Sequence, residues 1–252
     1  MGSTSTHQLA VIVEFAAAVV TFVVLFRVTA PYGRTIRPGW GPTVPSRWGW
    51  VVMESPPVFL FGLFFAAGRH RDALVPLVLF GLWQVHYVYR AFIYPFRMRL
   101  KNRSMPVVIA LMAIAFNALN AYVNAGWIAH FGTYEPAWLT NPQFLVGLAV
   151  FLFGLCVNVH SDHVLRALRR PGETGYRVPH GGLHRWVAAP NYLGEVVEWV
   201  GWAIMLDAPA GWAFAVYTFA NLAPRAVSHR RWYRETFADY PAHRTALIPF
   251  VW

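Results

Sequence analysis

The chain has 252 residues, of which 57% are hydrophobic and only 13% are charged, and its mean hydropathy is +0.40. Soluble globular domains carry about 25% charged residues, so this composition excludes a soluble enzyme. The single cysteine, Cys156, excludes an internal disulfide and a cysteine-rich metal site. We therefore expect one membrane-embedded domain covering residues 1–252.

Seven segments are apolar over a length that suits a transmembrane helix, which needs about 20 residues. The predicted spans are residues 9–29, 48–67, 73–95, 106–128, 143–161, 193–207 and 209–224. The last two are short and meet at a turn from Asp207 to Gly211, which favours a tight helical hairpin. The predicted fold is therefore all-α, a multi-pass membrane bundle of seven transmembrane helices.

Basic residues are distributed unevenly over the predicted connections. Nineteen Arg and Lys residues lie on the side that holds the C-terminus, and only Arg69 and Arg71 lie on the other side. Positively charged loops stay in the cytoplasm, so we expect the N-terminus outside and the C-terminus in the cytoplasm. The net charge of +10 comes with no nucleic-acid-binding motif. Membrane lipid or a phosphorylated cytosolic ligand is the favoured partner.

Acidic residues inside predicted spans are costly and are therefore functional candidates. Glu14 stands alone near the outer end of the first span, where a packing role and a functional role both remain open. Glu54 is followed by Ser55 and two prolines, and prolines in a span free backbone carbonyls, commonly beside a cavity. An apolar environment favours the protonated carboxyl group, which can donate a hydrogen bond. Glu54 is thus a candidate donor to a substrate.

The third predicted span contains a tyrosine that could act with this acid. Tyr87 lies in the segment from Trp83 to Arg90. Tyr94 follows it two helical turns later on the same helix face. A phenol beside a buried acid makes a pair of donors that can polarise a carbonyl oxygen and stabilise an enolate. Tyr87 and Tyr94 could instead belong to an interfacial aromatic belt.

The segment from Asn158 to His163 ends the fifth span and opens the longest polar connection, which reaches Tyr192. His160 and His163 have metal-ligand spacing, but no third ligand is indicated, so no metal is expected. Asparagine, aspartate and arginine side chains suit a ribose, an amide or a phosphate. A basic loop resting on anionic lipid is the alternative. Since the loop lacks the dinucleotide fingerprint GxGxxG, a nucleotide would be held by the helical bundle.

Several segments in order resemble the steroid 5α-reductase family over nearly the whole chain. The C-terminal half matches in NVHSDHVLRALRRPGETGYRVPHGGL, APNYLGEVVEWVGWA and FADYPAHRTALIPFVW, and the N-terminal half matches in MESPP and HYVYRAFIYP. The resemblance implies a seven-span membrane enzyme that uses NADPH. Its reaction would reduce the C4–C5 double bond of a 3-oxo-4-ene steroid to the 5α-dihydro product, by hydride transfer to C5.

The resemblance also assigns residues. Glu54 and Tyr87 match the catalytic pair that holds the C3 carbonyl. Met53 stands where the family has Gln and belongs, with Glu54 and Tyr87, to the implied steroid-binding residues. Unlike Gln, it cannot donate a hydrogen bond. The implied NADPH contacts are Asn158, Asp162, Arg166, Arg169, Tyr176, Arg177, Asn191, Glu195, Arg225, His229 and Tyr233. Glu198 lies in the same matching segment as Glu195.

Two other functions remain as alternatives. A membrane methyltransferase of the isoprenylcysteine carboxyl methyltransferase type would use S-adenosylmethionine, but it has no use for a paired intramembrane Glu and Tyr. A non-enzymatic sterol-binding membrane protein would not need a phosphate clamp. We expect a monomer whose substrate, a steroid or related lipophilic enone, arrives from the bilayer. The Arg- and Ala-rich composition favours a bacterial inner membrane, with the endoplasmic reticulum as the eukaryotic alternative.

Overall fold

The computed structural model describes residues 2–98, 103–168 and 175–252, and these residues are mostly helical. Within these ranges the α-helices are α1 Thr4–Arg27, α2 Ser46–Glu54, α3 Pro56–Ala66, α4 Leu74–Val88, α5 Tyr94–Arg97, α6 Val107–Gly126, α7 Pro142–Ala167, α8 Pro190–Leu206 and α9 Pro209–Thr236. The all-α prediction is confirmed at this level.

Shorter elements join these helices. A π-helical turn at Tyr89–Ile93 connects α4 to α5, and a second one at Trp127–Phe131 continues α6. The described chain also has 3-10 turns at Gly33–Thr35, Pro136–Thr140 and Gly182–Arg185. Two short antiparallel strands, β1 Thr43–Pro45 and β2 Ser104–Pro106, pair with Val44 opposite Met105. This pairing ties the start of α2 to the start of α6.

Within the described ranges, four helical segments are long and apolar enough to cross a membrane. They cover Thr4–Arg27, Ser46–Ala66, Val107–Phe131 and Pro142–Ala167, and they coincide with the first, second, fourth and fifth predicted spans. The other three predicted spans correspond to α4, α8 and α9. Because α4 has 15 residues and α8 has 17, each is shorter than a typical span. The seven-span count and the orientation of the termini stay predictions.

The helix ends differ from the predicted ends on one side of the bundle. α7 continues past residue 161 to Ala167, and α9 continues past residue 224 to Thr236. Hydropathy sets the ends of a predicted span, whereas backbone hydrogen bonds let a helix continue beyond the apolar stretch. Pro224 lies inside α9, and Ser228 Oγ donates to its carbonyl at 3.1 Å. The predicted hairpin is present, since Asp207 adopts a left-handed conformation between α8 and α9.

Glycines bring α7 and α8 into backbone contact. A Cβ atom added to Gly154 would overlap the backbone of Glu198, and one added to Gly194 would overlap the backbone of Asn158. Small residues allow this close approach of two helices within a membrane. The contact places Asn158 of α7 directly beside the acidic residues of α8.

Candidate active site

A cavity of about 580 Å3 lies among α1, α2, α4 and α6–α9, and ligand-binding pockets typically fall in this size range. Most of the residues that the sequence assigns to substrate and cofactor line it: Met53, Glu54, Tyr87, Asp162, Arg166, Tyr176, Arg177, Asn191, Glu195, Arg225, His229 and Tyr233. Asn158 lies behind this wall, and Arg169 lies outside the described residues. The structure therefore brings together residues that are far apart in the chain.

Two prolines fix the position of Glu54 by breaking the helix directly after it. Pro56 and Pro57 have no N–H, so the carbonyls of Val52 and Met53 lose their helical donors. Ser55 Oγ donates to the Val52 carbonyl at 3.0 Å. Asn117 Nδ2, from α6, donates to the Met53 carbonyl at 2.7 Å. Both freed carbonyls are thus satisfied, and α2 ends at Glu54 on the cavity wall.

Aromatic packing fixes Tyr87. Its ring centroid lies 4.8 Å from that of Trp83 and 5.7 Å from that of Trp199, and only 4% of its surface is exposed. Trp83 is itself held by a hydrogen bond from Nε1 to the Pro57 carbonyl at 2.9 Å. The helix that carries Tyr87 is therefore tied to the proline break beside Glu54.

A polar network extends from these residues along α7 and α8. Arg90 lies 3.4 Å from Asp162 and 3.7 Å from Glu195. Asn191 Nδ2 donates to Asp162 at 3.1 Å, while Asn158 Nδ2 donates to the Asn191 carbonyl at 2.9 Å and to Glu195 at 3.3 Å. Asn158 thus orients two residues that line the cavity without lining it itself.

Arg90 is a residue to which the sequence analysis gave no role. Its guanidinium lies over Tyr94 and Trp50, at 4.6 Å and 5.1 Å from the ring centroids, and Trp50 Nε1 donates to the Arg90 carbonyl at 3.1 Å. The sequence did contain a signal for Arg90. It is an arginine inside a predicted span, and a buried cation needs an acidic partner, which the other spans provide.

Cationic and aromatic side chains form a second part of the cavity, which we call the basic region: Arg34, Arg103, Tyr176 and Tyr233. The Arg34 guanidinium lies 4.7 Å from the Trp232 ring and 5.0 Å from the Tyr233 ring, and Arg103 lies 5.1 Å from the Tyr176 ring. Sequence reasoning missed Arg34 and Arg103 because it used the arginines of these two connections only to orient the helices.

Next to the basic region, Arg225 joins α9 to two tyrosines. Its guanidinium lies 4.9 Å from the rings of Tyr32 and Tyr192 and donates to the Tyr192 hydroxyl at 2.8 Å. Tyr32 lies in the connection between α1 and α2, where burial raises its pKa to about 12. Tyr32 is therefore a neutral phenol at physiological pH.

The cavity suits an anionic nucleotide. Arg34, Arg103, Arg177 and Arg225 line it, and Nη1 of Arg34 is buried without a hydrogen-bond partner among the described residues. Guanidinium groups match phosphates in charge and geometry. The amide and carboxylate groups of Asn191, Asp162 and Glu195 could bind a ribose or a carboxamide.

Two further residues that the sequence analysis singled out are His163 and Glu14. His163 Nδ1 lies 2.6 Å from Arg166 Nη2, so this histidine contacts an arginine. Glu14 is fully buried on α1, and neither of its carboxylate oxygens has a hydrogen-bond partner within the described ranges. It does not line the cavity.

Comparison with known proteins identifies the family. The family model described as 3-oxo-5-alpha-steroid 4-dehydrogenase matches residues 103–252. Steroid 5-alpha-reductase DET2 of Gossypium hirsutum is 42% identical over 243 residues, which cover 94% of each chain. The 3-oxo-5-alpha-steroid 4-dehydrogenase 1 of Bos taurus is 43% identical over 242 residues, again 94% of each chain. The human protein of that name is 42% identical over 223 residues, or 87% of this chain and 85% of the relative.

These comparisons define this helical protein as an oxidoreductase. The chain belongs to the 3-oxo-5-alpha-steroid 4-dehydrogenase family. The resemblance inferred from the sequence motifs is confirmed, and this membership favours a reductase over the methyltransferase and the sterol-binding protein. The relatives named above come from a plant and two mammals, so the bacterial origin stays a prediction.

Proposed function

We propose that this protein reduces the C4–C5 double bond of a 3-oxo-4-ene steroid to the 5α-dihydro steroid, using NADPH. One observation carries the proposal: Glu54 and Tyr87, from α2 and α4, line the same cavity as a set of arginines suited to phosphates. The family membership supports the same reaction class. A lipophilic steroid entering from the bilayer fits a cavity enclosed by apolar helices.

The role of Glu54 and Tyr87 follows from the polarity of an enone. Addition of hydride to C5 moves negative charge onto the C3 oxygen. Donors already aimed at that oxygen stabilise the charge without reorganisation. Glu54 in its protonated form and the Tyr87 hydroxyl provide two such donors. Met53 forms the adjoining wall and contributes an apolar contact in place of a third donor.

The residues that would hold NADPH divide by chemistry. When bound, NADPH supplies the hydride. We assign phosphate contacts to Arg166, Arg177 and Arg225, and also to Arg169, which lies outside the described residues. The amide, carboxylate and ring contacts would come from Asp162, Tyr176, Asn191, Glu195, His229 and Tyr233. Asn158, which the resemblance also assigns to the cofactor, would act from behind the wall by orienting Asn191 and Glu195. No metal takes part in this scheme.

The membrane arrangement belongs to the same proposal. Seven spans in one domain, residues 1–252, would place the N-terminus outside and the basic region in the cytoplasm, where a soluble phosphorylated cofactor is available. The protein would act as a monomer in a bacterial inner membrane, with the endoplasmic reticulum as the alternative. The bias of arginine toward one side of the helices supports this orientation.

The decisive experiment is a product analysis. The protein is purified in detergent and incubated with NADPH and a 3-oxo-4-ene steroid, and mass spectrometry with assignment of C5 stereochemistry identifies the product. A 5α-dihydro steroid is expected. A protein that binds NADPH but gives no product contradicts the substrate class. A protein that neither binds NADPH nor reduces the steroid contradicts the whole proposal.

A further inference from the structure

His86 and Glu198 form a buried pair to which the reduction described above gives no role. Nδ1 of His86, on α4, lies 2.7 Å from Oε1 of Glu198, on α8. The side chains are 3% and 0% exposed. Ionisable groups removed from water in this way are costly and are usually retained for function.

The contact with Glu198 determines which imidazole nitrogen is left for the cavity. Because Nδ1 points to the carboxylate, Nε2 lies on the other edge of the ring, and His86 lines the cavity with Glu54 and Tyr87. The described part of the chain gives Nε2 no hydrogen-bond partner. Oε2 of Glu198 is likewise buried without a partner there. The proton that this pair can release is therefore the one on Nε2.

The surroundings of the ring fix the orientation of the imidazole. The His86 ring lies edge-on to Trp199 and Tyr87, with centroids 4.7 Å and 4.9 Å away, which restricts its rotation. Glu198 faces Nδ1 directly, so its carboxyl group can pass a proton to Nδ1 as Nε2 releases its own. The nearest arginine along the chain is Arg90, in the π-helical turn after α4, and its charge is met by Asp162 and Glu195.

We propose that His86, held by Glu198, donates the proton that completes the reduction at C4, the carbon next to the carbonyl. This inference rests on the proposed reaction. Hydride addition forms the C5–H bond, and the electrons of the C4–C5 double bond move through C3 to give an enolate. The Nε2–H bond of His86 then breaks, a C4–H bond forms, and the C3 carbonyl is restored. A neutral imidazole remains beside the Glu198 carboxylate, and the pair regains its proton from water after product leaves.

Proton exchange into the reduced product tests this role without hydride transfer. A donor to C4 also removes a proton from C4 in the reverse direction, so the saturated 3-oxo-5α-steroid is incubated with the protein in D2O without cofactor. We expect the wild-type protein to exchange one C4 hydrogen, on one face only, as read by NMR. His86→Gln should slow that exchange by ~100-fold, a typical contribution of general acid–base catalysis.

The control is His130→Gln, at a histidine outside the cavity lining, which should exchange at the wild-type rate. Glu198→Gln gives a second test if His86→Gln does not fold, because glutamine keeps the shape but cannot pass a proton to Nδ1 when Nε2 loses its own. It should also slow exchange, while quenching of tryptophan fluorescence by NADPH stays unchanged.

Two results would overturn the inference. One is wild-type exchange rates in both His86→Gln and Glu198→Gln. The other is a wild-type protein that reduces the enone in D2O but places deuterium on both faces of C4, since a fixed donor labels one face. A protein that does not reduce the enone at all contradicts the proposed function instead, so the two failures are distinguishable.

Discussion

Glu54 and the basic region lie in the same cavity but are held by different interactions. α2 begins where Ser46 N–H donates to the Arg103 carbonyl at 2.8 Å, and it ends at Glu54. At 1.5 Å per residue, the Arg103 contact at the start of α2 lies about 12 Å from Glu54 along this helix. Around Glu54, short hydrogen bonds to freed carbonyls and packed aromatic rings set the geometry. Around Arg34, guanidinium groups lie over aromatic rings.

This difference separates two tasks of one site. A donor pair for a developing oxyanion must be fixed before the substrate arrives, which packing and buried hydrogen bonds achieve. A surface for phosphates needs charge more than exact shape, and cations stacked on rings keep their charge while remaining adjustable. Substitutions near Glu54 should therefore change turnover, and substitutions among the cavity arginines should change cofactor affinity.

The largest effect is expected at Glu54. Glu54→Gln replaces an acidic donor with a weaker one, and loss of a comparable oxyanion donor costs 100- to 1,000-fold in turnover. We expect a decrease of that order in steady-state kinetics, with NADPH binding unchanged in fluorescence titration. Unchanged turnover would show that Glu54 is not part of the mechanism. An equally large loss of NADPH binding would show that Glu54 and the cavity arginines do not have separate tasks.

Arg177 tests whether the cavity arginines determine cofactor affinity. Arg177→Gln removes a cation that lines the cavity, and a hydrogen bond to a charged group contributes about 1.5–3 kcal/mol. We expect the KM for NADPH to rise by roughly tenfold or more, while the KM for the steroid stays constant. Arg169→Gln should behave in the same way. A defect confined to the steroid KM would contradict both assignments.

Asn117 tests whether geometry near Glu54 depends on a single hydrogen bond. Asn117→Ala leaves the Met53 carbonyl without its donor, and an unsatisfied buried group costs about 1–3 kcal/mol. We expect a lower thermal midpoint and a roughly tenfold lower kcat, with no change in the KM for NADPH. The matched control is Thr140→Ala, which removes an exposed bond from Oγ to the Ala137 carbonyl and should leave both values unchanged. A wild-type kcat in Asn117→Ala would show that the proline break alone positions Glu54.

His184 gives the smallest expected effect, and it concerns stability. This histidine lies in the connection between α7 and α8, where burial lowers its pKa from 6.5 to about 4. The unfolded chain therefore binds the proton first as pH falls, so stability decreases below pH 6.5 and continues to decrease toward pH 4. Between pH 6.5 and 5.5 the loss is on the order of 1 kcal/mol. His184→Gln should show a shallower decrease in thermal midpoint over this range, and equal slopes would contradict the assignment.

The sequence analysis predicted the helical class, the α8–α9 hairpin and seven spans, of which four are confirmed as long apolar helices, and most of the site residues that it named line the cavity. Hydropathy and proline spacing were sufficient because they depend on local composition. It did not predict the continuation of α9 to Thr236, since a helix outside lipid has no hydropathy signal. It also missed the contacts of Arg34, Arg90, His86 and Asn117. Each joins residues distant in the chain, and no local pattern specifies which buried groups meet.

The paired glycines of α7 and α8 have a consequence for inherited variation. Because Gly154 faces the Glu198 backbone and Gly194 faces the Asn158 backbone, any larger residue at either glycine must push the two helices apart. Alleles that damage such a protein should then arise at glycines that no ligand touches. Natural selection should constrain these two positions as tightly as it constrains the acids beside them.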